Sequence, residues 1–301
     1  MTKQQAITKT AMITISGRPN VGKSTLLNAL VGEKIAIVTN KPQTTRNRIL
    51  AVLNQADIQF VFIDTPGYHA PRTRLGDYMV KVIRESVADV DGVILMVEPI
   101  ENIGPQEQHL IKWIAANKVP AVLVINKIDT VKKEELLAVI NLYQEAHGFD
   151  AIVPISAKQG DGLGELIEVL DRYALDGPQL FPDDMITDQP ERQIIAEILR
   201  EKLLLCLQKE IPHGTAVEIT KFSERDNGII DVEATIFVEK QSHKGMVIGK
   251  QGVMLRQIGE LARKDMERFM GTKVYLETWV KVKEKWRDSA YLLRNFGYNA
   301  E

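Results

Sequence analysis

Gly17-Arg18-Pro19-Asn20-Val21-Gly22-Lys23-Ser24 decides the fold of the first half of the chain. It follows an apolar run at 12–16 that reads as a strand, and it opens a stretch at 23–31 whose apolar residues recur with helical spacing. The pattern G-x4-G-K-[ST] should arise by chance on the order of 0.01 times in a chain of this composition. Between a strand and a helix it is a phosphate-binding loop. Its glycines let backbone N–H groups wrap a phosphate, Lys23 reaches the terminal phosphates, and the Ser24 hydroxyl, followed by Thr25, can ligate Mg²⁺.

Outward from this loop, apolar runs alternate with amphipathic stretches. Strands are expected at 49–53, 58–63, 92–97, 119–125 and 152–155, and helices at 75–88, 105–117, 132–146 and 163–173. Near-continuous apolar strands such as 121–125 suit a mostly parallel sheet covered by helices on both faces, whose ligands bind beyond the carboxyl ends of the strands. The polar motifs lie at those ends. Asp64-Thr65-Pro66-Gly67 offers an acid that can hold Mg²⁺ through water and a glycine amide that can sense the last phosphate. Asn126-Lys127-Ile128-Asp129 points to guanine, because the Asp129 carboxylate accepts from the ring N–H and 2-amino group that adenine lacks. Ser156-Ala157-Lys158 closes the next strand, where the backbone can touch the guanine oxygen.

The order G-x4-G-K-S, D-x-x-G, N-K-x-D, S-A-K resembles the translation-factor-related branch of P-loop GTPases over about 8–175. By that resemblance Gln43-Thr44-Thr45-Arg46 is the first switch, with Thr45 favoured over Thr44 as the threonine that completes the Mg²⁺ shell. Tyr68 stands where better-known small GTPases have the glutamine that orients water. Some relatives with a bulky residue there use K⁺, held at the position of Asn20; an ordinary structural asparagine is the alternative. The resemblance thus gives Lys23, Thr45, Gly67 and Asn20 roles in catalysis. His69 reads as an exposed switch-loop residue rather than a base.

The chain has 301 residues, which at roughly 150 per domain suggests two domains. Its single cysteine, Cys206, excludes an internal disulfide, reads as a small core residue and fits a reducing cytoplasm. No apolar run reaches the roughly 18 residues of a membrane span, and no signal peptide or integral anchor is expected. The formal charge of -2 argues weakly against a polyanion binder until it is divided. Residues 192–301 hold 19 Lys+Arg and 16 Asp+Glu, leaving 19 and 24 of the chain's 38 and 40 for 1–191, so the halves carry +3 and -5. Between them, 176–191 has five acids, no Lys or Arg and three prolines, and reads as a linker. Positive charge is focused at 240–264, with six bases against Glu260 alone.

After the linker the expected order is helix 191–207, strands 216–222 and 229–239, helix 253–270, strand 273–281 and helix 285–296. The loop Gly249-Lys250-Gln251-Gly252 allows close approach to a nucleic-acid backbone over roughly four nucleotides. Lys244, Lys250 and Arg256 add charge, and Met246, Val247, Ile248 and Leu255 are candidate groove walls for unstacked bases. Tyr275, Trp279 and Trp286 are possible stacking platforms, but strand alternation favours core or half-buried positions. With its flanking strands and helix, the loop resembles that of a type II KH domain, an α+β module, over 192–301.

The whole chain, GTPase domain, acidic linker and V-I-G-K-Q-G module, resembles the Era family. That resemblance implies a monomeric protein that binds GTP or GDP with Mg²⁺, binds small-subunit ribosomal RNA near its 3′ end, and assists 30S subunit maturation. It also implies peripheral association with the cell membrane. Nucleotide state is expected to bias how the KH domain engages RNA. A P-loop kinase or ATPase, which would lack 126–129, and a GTPase whose basic C-terminal domain binds membrane or a protein partner are the alternatives.

Overall fold

The computed structural model describes residues 6–41, 43–67, 73–86 and 90–298; Tyr68 and His69 lie outside the described residues. The chain separates into two compact units. One comprises Met1–Ala36, Thr45–Ala70 and Met79–Asp188, the other Ile37–Thr44, Pro71–Tyr78 and Gln189–Glu301. Two short segments of the first half therefore group with the second unit, and 176–188, read from composition as linker, groups with the first.

The first unit runs β1 (Lys9–Ser16), α1 (Lys23–Val31), β2 (Ile49–Gln55), β3 (Ile58–Asp64), α2 (Arg74–Ser86), β4 (Gly92–Val97), α3 (Pro105–Asn117), β5 (Ala121–Asn126), α4 (Lys133–Ala146), β6 (Ala151–Ile155), α5 (Leu163–Leu170) and β7 (Leu175–Asp176). The N-terminal turn of α2 belongs to the other unit. Strand order is β2-β3-β1-β4-β5-β6, with β7 beside β1. Strands β3, β1, β4, β5 and β6 are parallel. Only β2 and β7 run against their neighbours. Two residues join β2 to β3, too few for the crossover that a parallel pair needs.

Alternation along the central strands divides their side chains between two cores. Ile94, Met96, Val122 and Val124 pack with Leu26 and Leu27 of α1 and Leu166, Ile167 and Leu170 of α5. Val93, Leu95, Val97, Leu123 and Ile125 pack with Leu110, Ile111 and Ile114 of α3 and Val139 and Tyr143 of α4. Both faces are thus dry, which is why the strands read as continuous apolar runs.

The second unit contains α6 (Glu191–Cys206), β8 (Ala216–Glu224), β9 (Ile230–Val238), α7 (Gln241–Ile248), α8 (Val253–Met270), β10 (Val274–Val282) and α9 (Ala290–Asn295). Its sheet order is β10-β9-β8, parallel between β10 and β9 and antiparallel between β9 and β8. Ile195, Ile198, Leu199 and Leu203 of α6 and Ile258, Ala262 and Met266 of α8 cover one sheet face through Val232, Ala234 and Ile236. Cys206 packs half-buried at the edge of this core. Two elements differ from expectation. Residues 241–248 form a helix rather than a loop, and the helix expected at 285–296 is a 3-10 turn at Trp286–Asp288 followed by α9. The break lets the fully buried Trp286 donate its Nε1–H to the Gly214 carbonyl at 2.9 Å. Among the described residues, no helix is long and apolar enough to cross a membrane.

Candidate nucleotide site and nucleic-acid interface

Because the parallel strands all point one way, the segments following β1, β3, β5 and β6 meet at one edge of the sheet. The loop at 17–22 turns through left-handed backbone at Asn20 and Gly22, and Gly22 begins α1. A Cβ on Gly22 would lie 2.2 Å from Nδ2 of Asn126, so only glycine lets these two segments close. Asn126 braces both of its neighbours: Nδ2 donates to the Val21 carbonyl at 2.8 Å, and Oδ1 accepts from Ala157 N–H at 2.9 Å. Lys127 Nζ donates to the Asn20 carbonyl at 2.8 Å and pairs with Glu98. Glu98 and Glu107 also hold Arg18, at 2.7 and 3.2 Å. Asp129 Oδ1 accepts from the Ser156 hydroxyl at 2.6 Å, which orders the exposed carboxylate at the end of the site. Lys158 follows, exposed.

At the phosphate end, Ser24 Oγ donates to Asp64 Oδ2 at 2.6 Å, Thr45 Oγ1 does so at 3.3 Å, and the two hydroxyl oxygens lie 3.0 Å apart. Asp64 Oδ1 is buried with no hydrogen-bond partner. Burial pushes the Asp64 carboxyl up from its ordinary range, against the opposing pull of Lys23, Ser24, Thr45 and the Thr65 backbone. Burial also pulls the Lys23 ammonium down, opposed by Asp64. Lys23 Nζ donates to the carbonyls of Gly17 and Arg18 at 3.2 and 3.1 Å, at the mouth of its own loop. Thr65 donates to the Ile15 carbonyl at 3.0 Å, Pro66 is buried, and Gly67 lies against Pro19. Thr25 is half-buried on the first turn of α1, while Asn20 is exposed on the loop. Residues from five chain segments, 17–25, Thr45, 64–67, 126–129 and 156–158, are therefore brought to one place.

In the second unit, α7 leads into Gly249, where a Cβ would meet Met254 at 2.7 Å, and the chain passes through left-handed Gln251 and Gly252 into α8. Lys250, Gln251 and Arg256 are exposed, and Lys244 is half-buried. Beside the loop runs an open groove of about 360 Å³ between α8 and β10, lined by Gly252, Leu255, Arg256, Gly259, Glu260, Arg263, Leu276 and Thr278. Val247, expected as a groove wall, is 0% exposed in the core, because helix formation at 241–248 turns it inward. Ile248 is half-buried against the same core, whereas Met246 is exposed. Sequence pattern did not single out Gly259, Leu276 and Thr278, and gave Arg263 only as one of the six bases at 240–264. Their signals were the spacing of 255, 259 and 263 along one helix face and the two-residue period of β10. Tyr275 and Trp279, 49% and 43% exposed, lie on the other face of β10 from Leu276 and Thr278 and are more open than expected.

Comparison with known proteins supplies the frame for these sites. Residues 12–127 match the family described as 50S ribosome-binding GTPase, and residues 210–287 match the KH domain. GTPase Era of Ruminiclostridium cellulolyticum is 49% identical over 290 residues, covering 96% of this chain and 97% of the relative. GTPase Era of Clostridioides difficile is 50% identical over 293 residues, covering 97% of this chain and 99% of the relative. A crystal structure of an Aquifex aeolicus Era variant bound to GDP.AlF4- superposes with a TM-score of 0.93 at 38% identity, covering 97% of this chain and 100% of that one. A structure of Era in complex with MgGDPNP and nucleotides 1506–1542 of 16S ribosomal RNA gives the same values. Similarity of this degree along both units, with the guanine and phosphate motifs converging at one sheet edge, means that the chain belongs to the Era family of GTPases.

Proposed function

We propose that this GTPase works as a Mg²⁺-dependent switch, with its nucleotide domain at 8–175, a connecting segment at 176–191 and an RNA-binding domain at 192–301. In this reading the second domain binds small-subunit ribosomal RNA near its 3′ end and assists 30S subunit assembly. The observation that carries the switch is the meeting of Ser24, Thr45 and Asp64 within 2.6 to 3.3 Å beside a buried, unpartnered carboxylate oxygen. Two hydroxyls and one acid are hard oxygen donors that would suit Mg²⁺. A divalent cation at Asp64 and a phosphate at Lys23 would each offset the burial that disfavours those charges. When bound, Mg²⁺ neutralises charge that develops on the phosphate oxygens. Lys23 and the 17–22 backbone position those oxygens, Gly67 N–H senses the last phosphate, and Thr45 engages only when that phosphate is present. Asp129, Asn126, Lys127 and the 156–158 loop select guanine. Asn20, exposed on the 17–22 loop, carries an amide oxygen of the kind that suits a weakly held K⁺. Equal turnover in K⁺ and Na⁺ buffers removes K⁺ from this reading.

For RNA, support comes from the groove beside Gly249–Gly252, with Arg256 and Arg263 on its wall, and from the relative that holds 16S ribosomal RNA. Backbone phosphates approach Lys250 and the loop, while Leu255 and Leu276 offer apolar contact to unstacked bases. Replacing Lys250 and Gln251 by Glu in the full chain should weaken binding of a 16S 3′-end fragment at least about tenfold and leave GTP affinity unchanged. Unchanged RNA affinity would overturn the assignment. Binding to anionic vesicles in place of RNA would favour the membrane alternative.

A further inference from the structure

Strand β4 lies between β1 and β5 in the sheet of the first unit, with Ser16 beside Leu95 and Val97 beside Ile125. The residue that follows β4 therefore emerges between the loop after β1, at 17–22, and the segment after β5, at 126–129. That residue is Glu98. Its two carboxylate oxygens go to different sides: Oε2 accepts from Arg18 Nη2 at 2.7 Å, and Oε1 accepts from Lys127 Nζ. Lys127 Nζ also donates to the Asn20 carbonyl at 2.8 Å. Side-chain contacts and backbone thus close a ring that runs from Glu98 through Arg18, Pro19 and Asn20 to Lys127 and back.

The ring is anchored and has a neighbour. Glu107 of α3, 3% exposed, braces Arg18 from behind, its Oε1 3.2 Å from Arg18 Nε. Pro19, inside the ring, is the residue that Gly67 lies against: a Cβ on Gly67 would stand 2.8 Å from Pro19 Cγ and 2.9 Å from its Cα. The pairs made by Glu98 do little for the fold as such. Glu98, Arg18 and Lys127 keep 23%, 30% and 38% of their side-chain surface in water, where ion pairs contribute little net stability. What they fix is the spacing of two segments. A nucleotide that engages both at once binds more tightly when that spacing is set beforehand, because less ordering is left for binding to supply. A carboxylate beside a phosphate-receiving loop also repels the ligand, so its charge alone would weaken binding.

We propose that Glu98 is a positioning residue for guanine nucleotide: one carboxylate ties the 17–22 loop, through Arg18, to the 126–129 segment, through Lys127, and sets the spacing at which phosphate and guanine are held together.

This inference rests on 17–22 and Asp129 making the phosphate and guanine contacts proposed above, so the test includes Asp129. Release of fluorescently labelled GDP from the full chain is measured for wild type, Glu98→Gln, Glu98→Asp, Asp129→Asn and Glu101→Gln, together with the thermal midpoint of each nucleotide-free protein. Glu101, exposed three positions on, is the control for charge. Losing the paired charge-assisted bonds should speed GDP release about tenfold in Glu98→Gln. Glu98→Asp keeps the charge but is one methylene too short to reach both partners, and should speed release at least about threefold. Glu101→Gln should stay within about twofold of wild type, and the thermal midpoints of both Glu98 variants within about 4 °C. A purely electrostatic role gives the opposite sign, slower release in Glu98→Gln, with wild-type release in Glu98→Asp. A merely structural role lowers the thermal midpoint and leaves release from the folded fraction unchanged. Either result, or wild-type release in both Glu98 variants while Asp129→Asn is impaired, overturns the role of Glu98 and leaves the site in place. Wild-type release by Asp129→Asn overturns the assignment of the guanine segment and this inference with it. If Glu98→Gln does not fold, Glu98→Asp carries the same comparison.

Discussion

Asn126 joins the loops at 17–22 and 156–158 through one buried amide, donating to Val21 and accepting from Ala157. Its side chain is close enough to Gly22 that neither residue can change independently. In Gly22→Ala the new Cβ would stand 2.2 Å from Asn126 Nδ2, at a φ of 106° that side chains rarely adopt. We expect Gly22→Ala to weaken GDP and GTP binding by about 100-fold or more, because the clash displaces the loop and the strain persists. Asn126→Ala removes the bridge and orphans a buried donor and acceptor, a loss of about 1 to 3 kcal/mol, or roughly fivefold to 150-fold in affinity. The double variant Gly22→Ala/Asn126→Ala should bind better than Gly22→Ala, since the obstructing amide is gone while only the backbone strain remains. Titration with a fluescently labelled GDP checks all three. A double variant weaker than Gly22→Ala would show that strain at 22, not the contact with 126, dominates.

Among the elements, the segment at 177–188 shows where reading by composition stops. Its prolines and acids mark a departure from helix and strand, yet it lies bonded along the β2–β3 hairpin. Val52 N–H donates to the Ile186 carbonyl at 2.9 Å and Thr187 donates to that of Leu50 at 2.6 Å. The anchor is Gln59 of β3, fully buried, whose oxygen accepts the N–H groups of Leu180 and Phe181 and whose amide donates to Asn54 and the Phe181 carbonyl, each at 2.9 Å. A lone amide inside the apolar run 58–63 was the available signal, since a buried polar side chain requires partners. Gln59→Leu keeps the volume but leaves those backbone groups unpaired, so we expect a loss of about 2 to 4 kcal/mol and new protease cleavage within 177–188. Urea unfolding and limited proteolysis measure it, and wild-type stability would mean the segment is held elsewhere. The parallel strands and the loops at their ends were legible because each motif directly follows an apolar run. Helix α7 was not: 241–248 contains Gly245 and β-branched Val247 and Ile248, and its helicity depends on burying Val247 in a core assembled from distant residues. The groove walls at Leu276 and Thr278 were hidden for the same reason, as was the contact of Arg18 with Glu98, 80 positions away.

For the whole molecule, a formal charge of -2 conceals a division that should be measurable in salt. Of the six bases within 240–264, Lys240, Lys250, Arg256, Arg263 and Lys264 are exposed and Lys244 is half-buried. Each base that meets a phosphate of single-stranded RNA contributes a slope of about -0.7 to the dependence of log affinity on log salt. If Lys250, Arg256 and Arg263 do so, the slope for a 16S 3′-end fragment should be about -2, and Lys250→Gln should make it shallower by about 0.7. The control is Lys132→Gln, at an exposed position before α4, which changes the net charge of the chain by the same amount. An effect set by total charge would treat the two variants alike, because long-range repulsion depends on the sum and is screened within about 10 Å at 0.1 M salt. An effect set by contact would appear only in Lys250→Gln. Equal slopes for the two variants would therefore remove the Gly249–Gly252 loop from the phosphate path. A shallower slope for Lys250→Gln alone would place RNA phosphate at that loop, and a chain of net negative charge would then bind a polyanion because local contact outweighs the total.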